Sequence, residues 1–436
     1  MVYISCNNKN ILSVMQQNNL YKHKISRIDE NKLFNCIKIS RISFLLLAFI
    51  LFQQISFAQQ NKSWRSGRTT GKFPQLAYSL GNDRLGSAMM GYLDTDVLLK
   101  ITDSTRNYYQ VQLSANHSAW IDKGNVKPDA RVNKFNKPFL LNNWIASGGK
   151  DGYDTLIMFM DEKLPYKSRM EINPARIVIT LFGVQSNTNF IMQHINTLQE
   201  IANADFEQTE DDVVEITIEL QHAQHWGYTL NYHDDTLMLL VKQAPKKTAL
   251  SNFKIAIDAG HGGSNPGSRG NNTGILEKTY TLIYAQKLAQ ALVDSGAQVI
   301  MTRISDASFD NTDRVLFLQQ QQPDLLISLH LNSADNRAAQ GTGTFYKYLG
   351  FRNLSKFILE QVCITTQRNE YGNVGNFNFI LNAPTDFPNT LVEIGFLSNK
   401  EEEQKIINTD FQNQVVQGII KGIREFIQKG IAQNPY

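Results

Sequence analysis

The spacing of apolar positions changes character along this chain. Short runs at 87–93, 97–103, 108–113 and 117–121, split by turn-rich breaks such as Asp103-Ser104-Thr105, predict a small β-barrel over 76–128. A second set at 155–160, 176–182, 213–220 and 235–241 predicts a β-sandwich over 139–243. Within it, Glu215-Ile216-Thr217-Ile218-Glu219-Leu220 has the period of two expected of a half-buried strand. The stretch 59–76 reads as a flexible leader, and 127–138 and 242–251 read as linkers.

From residue 253 onward strands and helices alternate. Strands are predicted at 254–258, 298–302 and 324–329, and helices at 278–294, 311–321 and 410–429. This order predicts an α/β domain over 253–430, with a largely parallel twisted sheet flanked by helices, preceded by the two small all-β domains. In the last helix Val415, Val416, Ile419, Ile420, Ile423 and Ile427 share one side. Gly418 and Gly422 lie four apart there, and close packing on the sheet is expected of them. Lys421, Arg424 and Glu425 exclude a membrane-dimer motif.

The first 58 residues alter the charge picture. Lys38 and Arg41 precede the apolar run 42–52 and then Ser56-Phe57-Ala58, the layout of a signal peptide cleaved after Ala58. The run is too short to span a bilayer, which takes about 20 residues. The stretch before Lys38 is long for a signal, so translation could begin downstream of Met1. The whole chain of 436 residues has 43 Lys+Arg against 40 Asp+Glu; the first 58 carry seven and two of these, so the remainder is nearly neutral and nucleic acid is not an expected partner. Cys6 and Cys36 leave with that segment. Cys363 remains alone, so no internal disulfide is available to the exported protein. No transmembrane anchor is expected after signal cleavage, and the location is exported, periplasmic or cell-envelope associated. The 42% of apolar residues suffice for several cores.

Candidate chemistry lies where apolar strands end. Ile255-Ala256-Ile257-Asp258 runs into Gly260-His261-Gly262-Gly263, Leu325-Leu326-Ile327-Ser328-Leu329 into His330-Leu331-Asn332, and Thr390-Leu391-Val392 into Glu393. Ligands of open α/β sheets collect outside the carboxyl ends of the strands, so these side chains are predicted neighbours. Glu277, in the first turn of the following helix, is placed beside His261. Two histidines and a glutamate are a three-ligand set for catalytic zinc, which leaves a position for water and lowers that water's pKa to about 7. His261, Glu277 and His330 are the candidate metal ligands. Glu393 is the candidate catalytic carboxylate, acting as general base and then acid. Asn332 is a candidate for substrate binding. A glycine-rich turn could equally hold a phosphate, but the G-K-S/T ending of a phosphate loop is missing. His222, His225 and His233 are expected to be surface or core histidines rather than ligands.

The segments IAIDAGHGGSNPGSRGNNTGILEK, PDLLISLHLNS and TLVEIGFLSN resemble, in order, those of zinc-dependent N-acetylmuramoyl-L-alanine amidases, over residues 253–430. The resemblance implies zinc bound by His261, Glu277 and His330, Glu393 as the catalytic carboxylate, and peptidoglycan as substrate. The bond implied is the amide joining N-acetylmuramic acid to the L-alanine of the stem peptide, cut in wall remodelling or cell separation. Asn265 stands where an aspartate is common in the family. Some members carry a helix between the second histidine and the glutamate that blocks the site until an activator protein removes it. The interval from His330 to Glu393 is short enough that no such helix, and no activator, is expected. The segment 119–126 resembles the closing strands of Src-homology-3-like domains, although Trp120 could simply be a core aromatic. Gly227-Tyr228-Thr229-Leu230 and Asp235-Thr236-Leu237-Met238-Leu239 resemble the envelope-targeting domain that precedes many amidases. The rival functions are a zinc peptidase acting within the stem peptide and a non-catalytic wall-binding or activator protein.

Overall fold

The computed structural model describes residues 65–432, apart from 82–86, 130–134, 136 and 150. The expected signal peptide, 1–58, lies outside the described residues. Between Arg65–Thr69 and Val126–Asp129 seven strands form one antiparallel sheet. The flexible leader expected over 59–76 is thereby corrected, because Arg65–Thr69 and Gln75–Ser79 are strands of this sheet. The first pairs on both sides, with Leu98–Ser104 and Val126–Asp129. Its sequence, RSGRT, has no apolar alternation to announce it. It seats by close backbone approach instead: a Cβ on Gly67 would meet Val126 Cγ1 at 2.9 Å. Trp120 is half-buried, while Ala119 and Ile121 on either side of it enter the core.

Residues 139–242 build two further sheets. One has four antiparallel strands, Tyr166–Glu171, Arg176–Phe182, Val213–Leu220 and Ile201–Glu210. The other is centred on Phe139–Gly148, Tyr153–Met160, Thr236–Lys242 and Tyr228–His233. The strand Ile201–Glu210 escaped sequence reading because IANADFEQTE is mostly polar. It lies at the edge of its sheet, so only one flank needs a partner and most of its side chains stay in contact with water. Trp144, fully buried on one sheet, meets Phe206 of the other edge-on at 5.8 Å. The same apolar core continues without a break into Val111 and Leu113 of the N-terminal sheet.

The last sheet contains β1 (Lys254–Ala259), β2 (Gln298–Met301), β3 (Leu325–Asn332), β4 (Thr342–Phe345), β5 (Glu370–Val374) and β6 (Asn389–Phe396), in the order β2-β1-β3-β6-β4-β5. The expectation of a largely parallel sheet needs one amendment. All pairings are parallel except that of β4 with β6, which makes the sheet mixed. Side chains alternate across it. Ile255, Ile257 and Ile327 share a core with helices α1 (Glu277–Asp294), α3 (Arg352–Thr366) and α5 (Thr409–Ala432). Ala256 and Leu326 face α2 (Asn311–Gln321) through Val315 and Leu318. A short helix, α4 (Lys400–Ile406), follows β6.

The glycines of α5 correct a second expectation, since they pack on a helix and not on the sheet. A Cβ at Gly418 would stand 2.6 Å from Val362 Cα, and one at Gly422 would stand 2.5 Å from Ile358 Cα, both on α3. The β region is seated on the α/β region through Trp226 against Phe426 (5.2 Å), the Tyr228 amide donating to the Thr385 carbonyl (2.8 Å), and Lys242 paired with Asp324 (2.6 Å).

Trp144→Ala is expected to lower stability by about 3–5 kcal/mol through the cavity it leaves between the sheets. Urea unfolding followed by far-ultraviolet circular dichroism measures it, and a loss below about 1 kcal/mol would mean that this contact does not hold the two sheets together.

Candidate active site

Strand order assembles the site. Because β1, β3 and β6 are neighbours, their carboxyl ends open at one edge of the sheet. His261 lies two residues beyond β1, His330 is within β3, and Glu393 is the residue of β6 in register with His330. Glu277 is the first residue of α1 and is 3% exposed. The loop from β1 returns the chain there by way of the Glu277 amide, which donates to the Ser268 carbonyl at 2.9 Å.

Both imidazoles converge on one carboxylate oxygen. His261 Nε2 and His330 Nδ1 each lie 3.0 Å from Glu277 Oε1, and the rings stand nearly edge-on, 4.9 Å apart. The Leu331 amide also donates to Oε1 (3.0 Å), and the Ser268 amide to Oε2 (2.7 Å). Burial by itself would raise the carboxyl's pKa, but the hydrogen bonds from His261 and His330 outweigh it and hold Glu277 well below the usual carboxylate range. Burial works against the imidazolium of His330, yet the hydrogen bond to Glu277 and the nearby charge of Glu393 raise its pKa to about 8. On the far side of His261, Nδ1 is 3.1 Å from Asn265 Oδ1, which also accepts the Gly267 amide at 3.1 Å. An oxygen already accepting from that amide can only accept from His261 as well, so Nδ1 carries a proton and Nε2 is the nitrogen left for a cation to take. The three ligand atoms lie within 4.8 Å of one another. Two nitrogens and an anionic oxygen gathered so closely are a donor set that fits a divalent cation.

The frame behind this point is a buried ion pair. Arg314 on α2 and Asp258 on β1 are 2% and 1% exposed and 2.7 Å apart. Arg314 also donates to the carbonyls of Ala259 and His261, while Arg303 donates to those of Ala259, Gly260 and Lys278. Ser328 and Thr302 complete the shell of Asp258. These bonds fix a loop in which His261 itself has a left-handed backbone, φ +62°, uncommon for a residue with a Cβ. Two glycines make room for the side chains: a Cβ on Gly260 would lie 2.4 Å from the His330 ring, and one on Gly267 would lie 2.5 Å from Glu277 Oε2.

Residues 255–425 match the sequence profile of N-acetylmuramoyl-L-alanine amidases. The germination-specific N-acetylmuramoyl-L-alanine amidase of Bacillus subtilis (strain 168) is 31% identical over 203 residues, which are 43% of this chain and 85% of that protein. An uncharacterized protein of the same organism, YqiI, is 30% identical over 39% of this chain and 84% of its own. This chain belongs to the N-acetylmuramoyl-L-alanine amidase family. Among solved structures, the catalytic domain of CwlV from Bacillus (Paenibacillus) polymyxa var. colistinus is 31% identical, covering 40% of this chain and 98% of that one, with a TM-score of 0.39. The protein is thus a peptidoglycan hydrolase that cuts the amide between N-acetylmuramic acid and L-alanine.

The amidase's histidine–glutamate cluster opens into a cavity of about 1300 Å³ that Glu393 and Asn332 also line. Asn332 Oδ1 accepts the Ser333 amide at 2.8 Å, which settles the direction of its side chain. The three histidines set aside as non-ligands in the sequence are engaged elsewhere or exposed. His222 pairs with Glu200 (2.7 Å), buried His225 bonds the Glu171 carbonyl (2.7 Å), and His233 is exposed. His222 and His225 lie in the irregular segment between the strands Val213–Leu220 and Tyr228–His233.

Four supporting residues were missed in the sequence. Arg314 and Asp258 carried a signal, a charge placed among apolar positions of a helix and of a buried strand. Glu402 and Glu403 of α4 carried little, since an acidic run is usually a solvated face. Both are buried. Glu403 takes the amides of Asn272 and Thr273, each at 2.9 Å, and Glu402 takes those of Gly341 (3.2 Å) and Phe396 (2.9 Å) and pairs with Arg368.

Asp258 gives an acid-sensitive stability. Burial raises its pKa, but the Arg314 charge, the nearby His330 and the two hydroxyls lower it further, so the folded value lies below the unfolded one of about 3.9. The contribution is present above that value and is lost as pH falls through the folded pKa. Asp258→Asn is expected to cost about 3–5 kcal/mol at pH 7, with the gap to the native protein narrowing below about pH 4. Urea unfolding across pH 7 to 3 tests this; a gap independent of pH would remove the carboxylate's charge from the account.

Proposed function

We propose that the amidase is zinc-dependent, with His261, Glu277 and His330 as ligands and Glu393 as the catalytic carboxylate. The observation that carries this is the meeting of two imidazole nitrogens at one buried carboxylate oxygen, each at 3.0 Å. Zinc, when bound there, supplies Lewis acidity toward water and the amide carbonyl.

The chain's own groups do the rest. Asn265 holds His261 with its proton on Nδ1, keeping Nε2 as the ligand atom. Glu277 brings negative charge to the centre and is kept ionised by the surrounding donors. Glu393, set beside His330 by strand register, takes a proton from the attacking water at its carboxylate. It returns that proton to the L-alanine nitrogen as the carbon–nitrogen bond breaks, so the peptide leaves as a neutral amine and the lactyl group keeps the new oxygen. Asn332, on the same strand as His330 and lining the same cavity, hydrogen-bonds the substrate in this reading.

The β modules hold the enzyme at the envelope, the N-terminal one as a Src-homology-3-like domain and the sandwich as a targeting domain. They raise the local concentration of wall, so each stem peptide need bind only weakly. Export through the N-terminal signal, to the periplasm or cell envelope, completes this reading, and among the described residues no helix is long and apolar enough to cross a membrane. The helix between His330 and Glu393, α3, packs on α5 through Ile358 and Val362, which supports activity without an activator.

Digestion of purified peptidoglycan, read by mass spectrometry, is expected to release intact peptides beginning with L-alanine and to stop when a chelator strips the metal. Peptides cut internally would instead make the enzyme a stem-peptide peptidase. Glu393→Gln is expected to lower kcat by about 10²–10⁴-fold while the protein still binds one zinc per chain. Near-native turnover would exclude Glu393 from the proton transfers, and loss of the metal would make it a ligand.

A further inference from the structure

The cavity beside the metal cluster is lined by five carboxylates and, among the described residues, by two arginines. Arg314 is committed to Asp258 and to backbone carbonyls. Arg337 is different: it is exposed, and no hydrogen bond or ion pair in the described structure engages its guanidinium. Its backbone is nevertheless well fixed. The Ala334 amide donates to Ser398 Oγ (3.0 Å), Asn399 Nδ2 donates to the Ala339 carbonyl (3.3 Å), and the Gly341 amide donates to Glu402. Within the turn, the Ala338 amide donates to Asn336 Oδ1 at 3.0 Å. The loop therefore presents an unpaired cation from a base tied down on both sides.

Arg337 also stands at a junction. A second groove, of about 440 Å³, shares Arg337 and Ser398 with the metal-side cavity and runs on past Gln340 and Lys400. A substrate cut at the muramoyl–alanine bond has a peptide that must leave the metal cluster in some direction, and this groove offers a continuous path. A guanidinium at the junction matches a planar carboxylate with two parallel hydrogen bonds, a geometry that a neutral primary amide, with only one acceptor oxygen, cannot return.

We propose that Arg337 is a specificity determinant of the amidase: it anchors a free carboxylate on the residue that follows L-alanine in the stem peptide, and so favours acidic over amidated stems. This rests on the reading of the neighbouring cluster as the catalytic centre. Charge-assisted hydrogen bonds to an exposed arginine are weakened by solvent, so the expected effect is about tenfold rather than the hundredfold of a buried pair.

The test compares two muramoyl peptides that differ only in whether the residue after L-alanine bears a carboxylate or its primary amide. Arg337→Ala is expected to reduce kcat/KM for the carboxylate substrate about tenfold more than for the amide, with the loss in KM, and Arg337→Lys is expected to recover part of it. An equal loss on both substrates, or no loss on either, overturns the proposal. Calorimetric binding of the same two peptides to zinc-loaded Glu393→Gln protein, with and without Arg337→Ala, gives the same comparison without turnover. Failure of the native enzyme to cleave either peptide would count against the catalytic reading, while the binding comparison would still decide the role of Arg337.

Discussion

The guanidinium of Arg314, nearly sealed from solvent, ties a helix on one face of the sheet to the strand end from which the site begins. It neutralises Asp258 and at the same time donates to the carbonyls of Ala259, at the end of β1, and of His261, in the left-handed turn that follows. An ion pair so deep gains little net stability against its desolvation. Its value here is geometric. With Arg303 it fixes the turn that aims His261 back across the sheet edge, and Glu277 and His330 come from elements that the sheet already holds.

That arrangement divides the labour between rigid and adjustable parts. His330 and Glu393 sit within neighbouring parallel strands, where register alone sets their separation. Glu277 starts a long helix packed on the sheet. The loops around them are pinned from behind by Glu402 and Glu403, adjacent residues of one short helix that reach two different loops. Binding groups held on strands and on pinned loops lose little freedom when a substrate arrives, which is how a site keeps its geometry without a bound partner.

The β modules share one apolar core with each other and dock on the α/β region through a mixed seam of ring contact, backbone hydrogen bond and ion pair. Gly227, with φ +115°, lets that seam close, since a Cβ there would lie 2.3 Å from the Asp386 carbonyl oxygen. Asp386 belongs to the segment that leads into β6, so the seam lies a few residues upstream of Glu393 along the chain.

Much of the α/β region could be read from the chain, because its strands are buried on both faces and therefore apolar, and its helices carry long amphipathic stretches. His261, His330 and Glu393 were legible for a related reason: each is a polar residue at or just beyond a strand that is otherwise apolar. The strands Arg65–Thr69 and Ile201–Glu210 were not legible, since one is seated by a glycine's close approach and the other lies at a polar edge. The sequence by itself determined the order of elements and the kinds of donor available. Only the tertiary structure decided that β4 runs against β6, that the α5 glycines receive α3, and that Glu402 and Glu403 face inward. Those outcomes depend on which surfaces meet across long separations in the chain, and a local pattern carries no record of its distant partner.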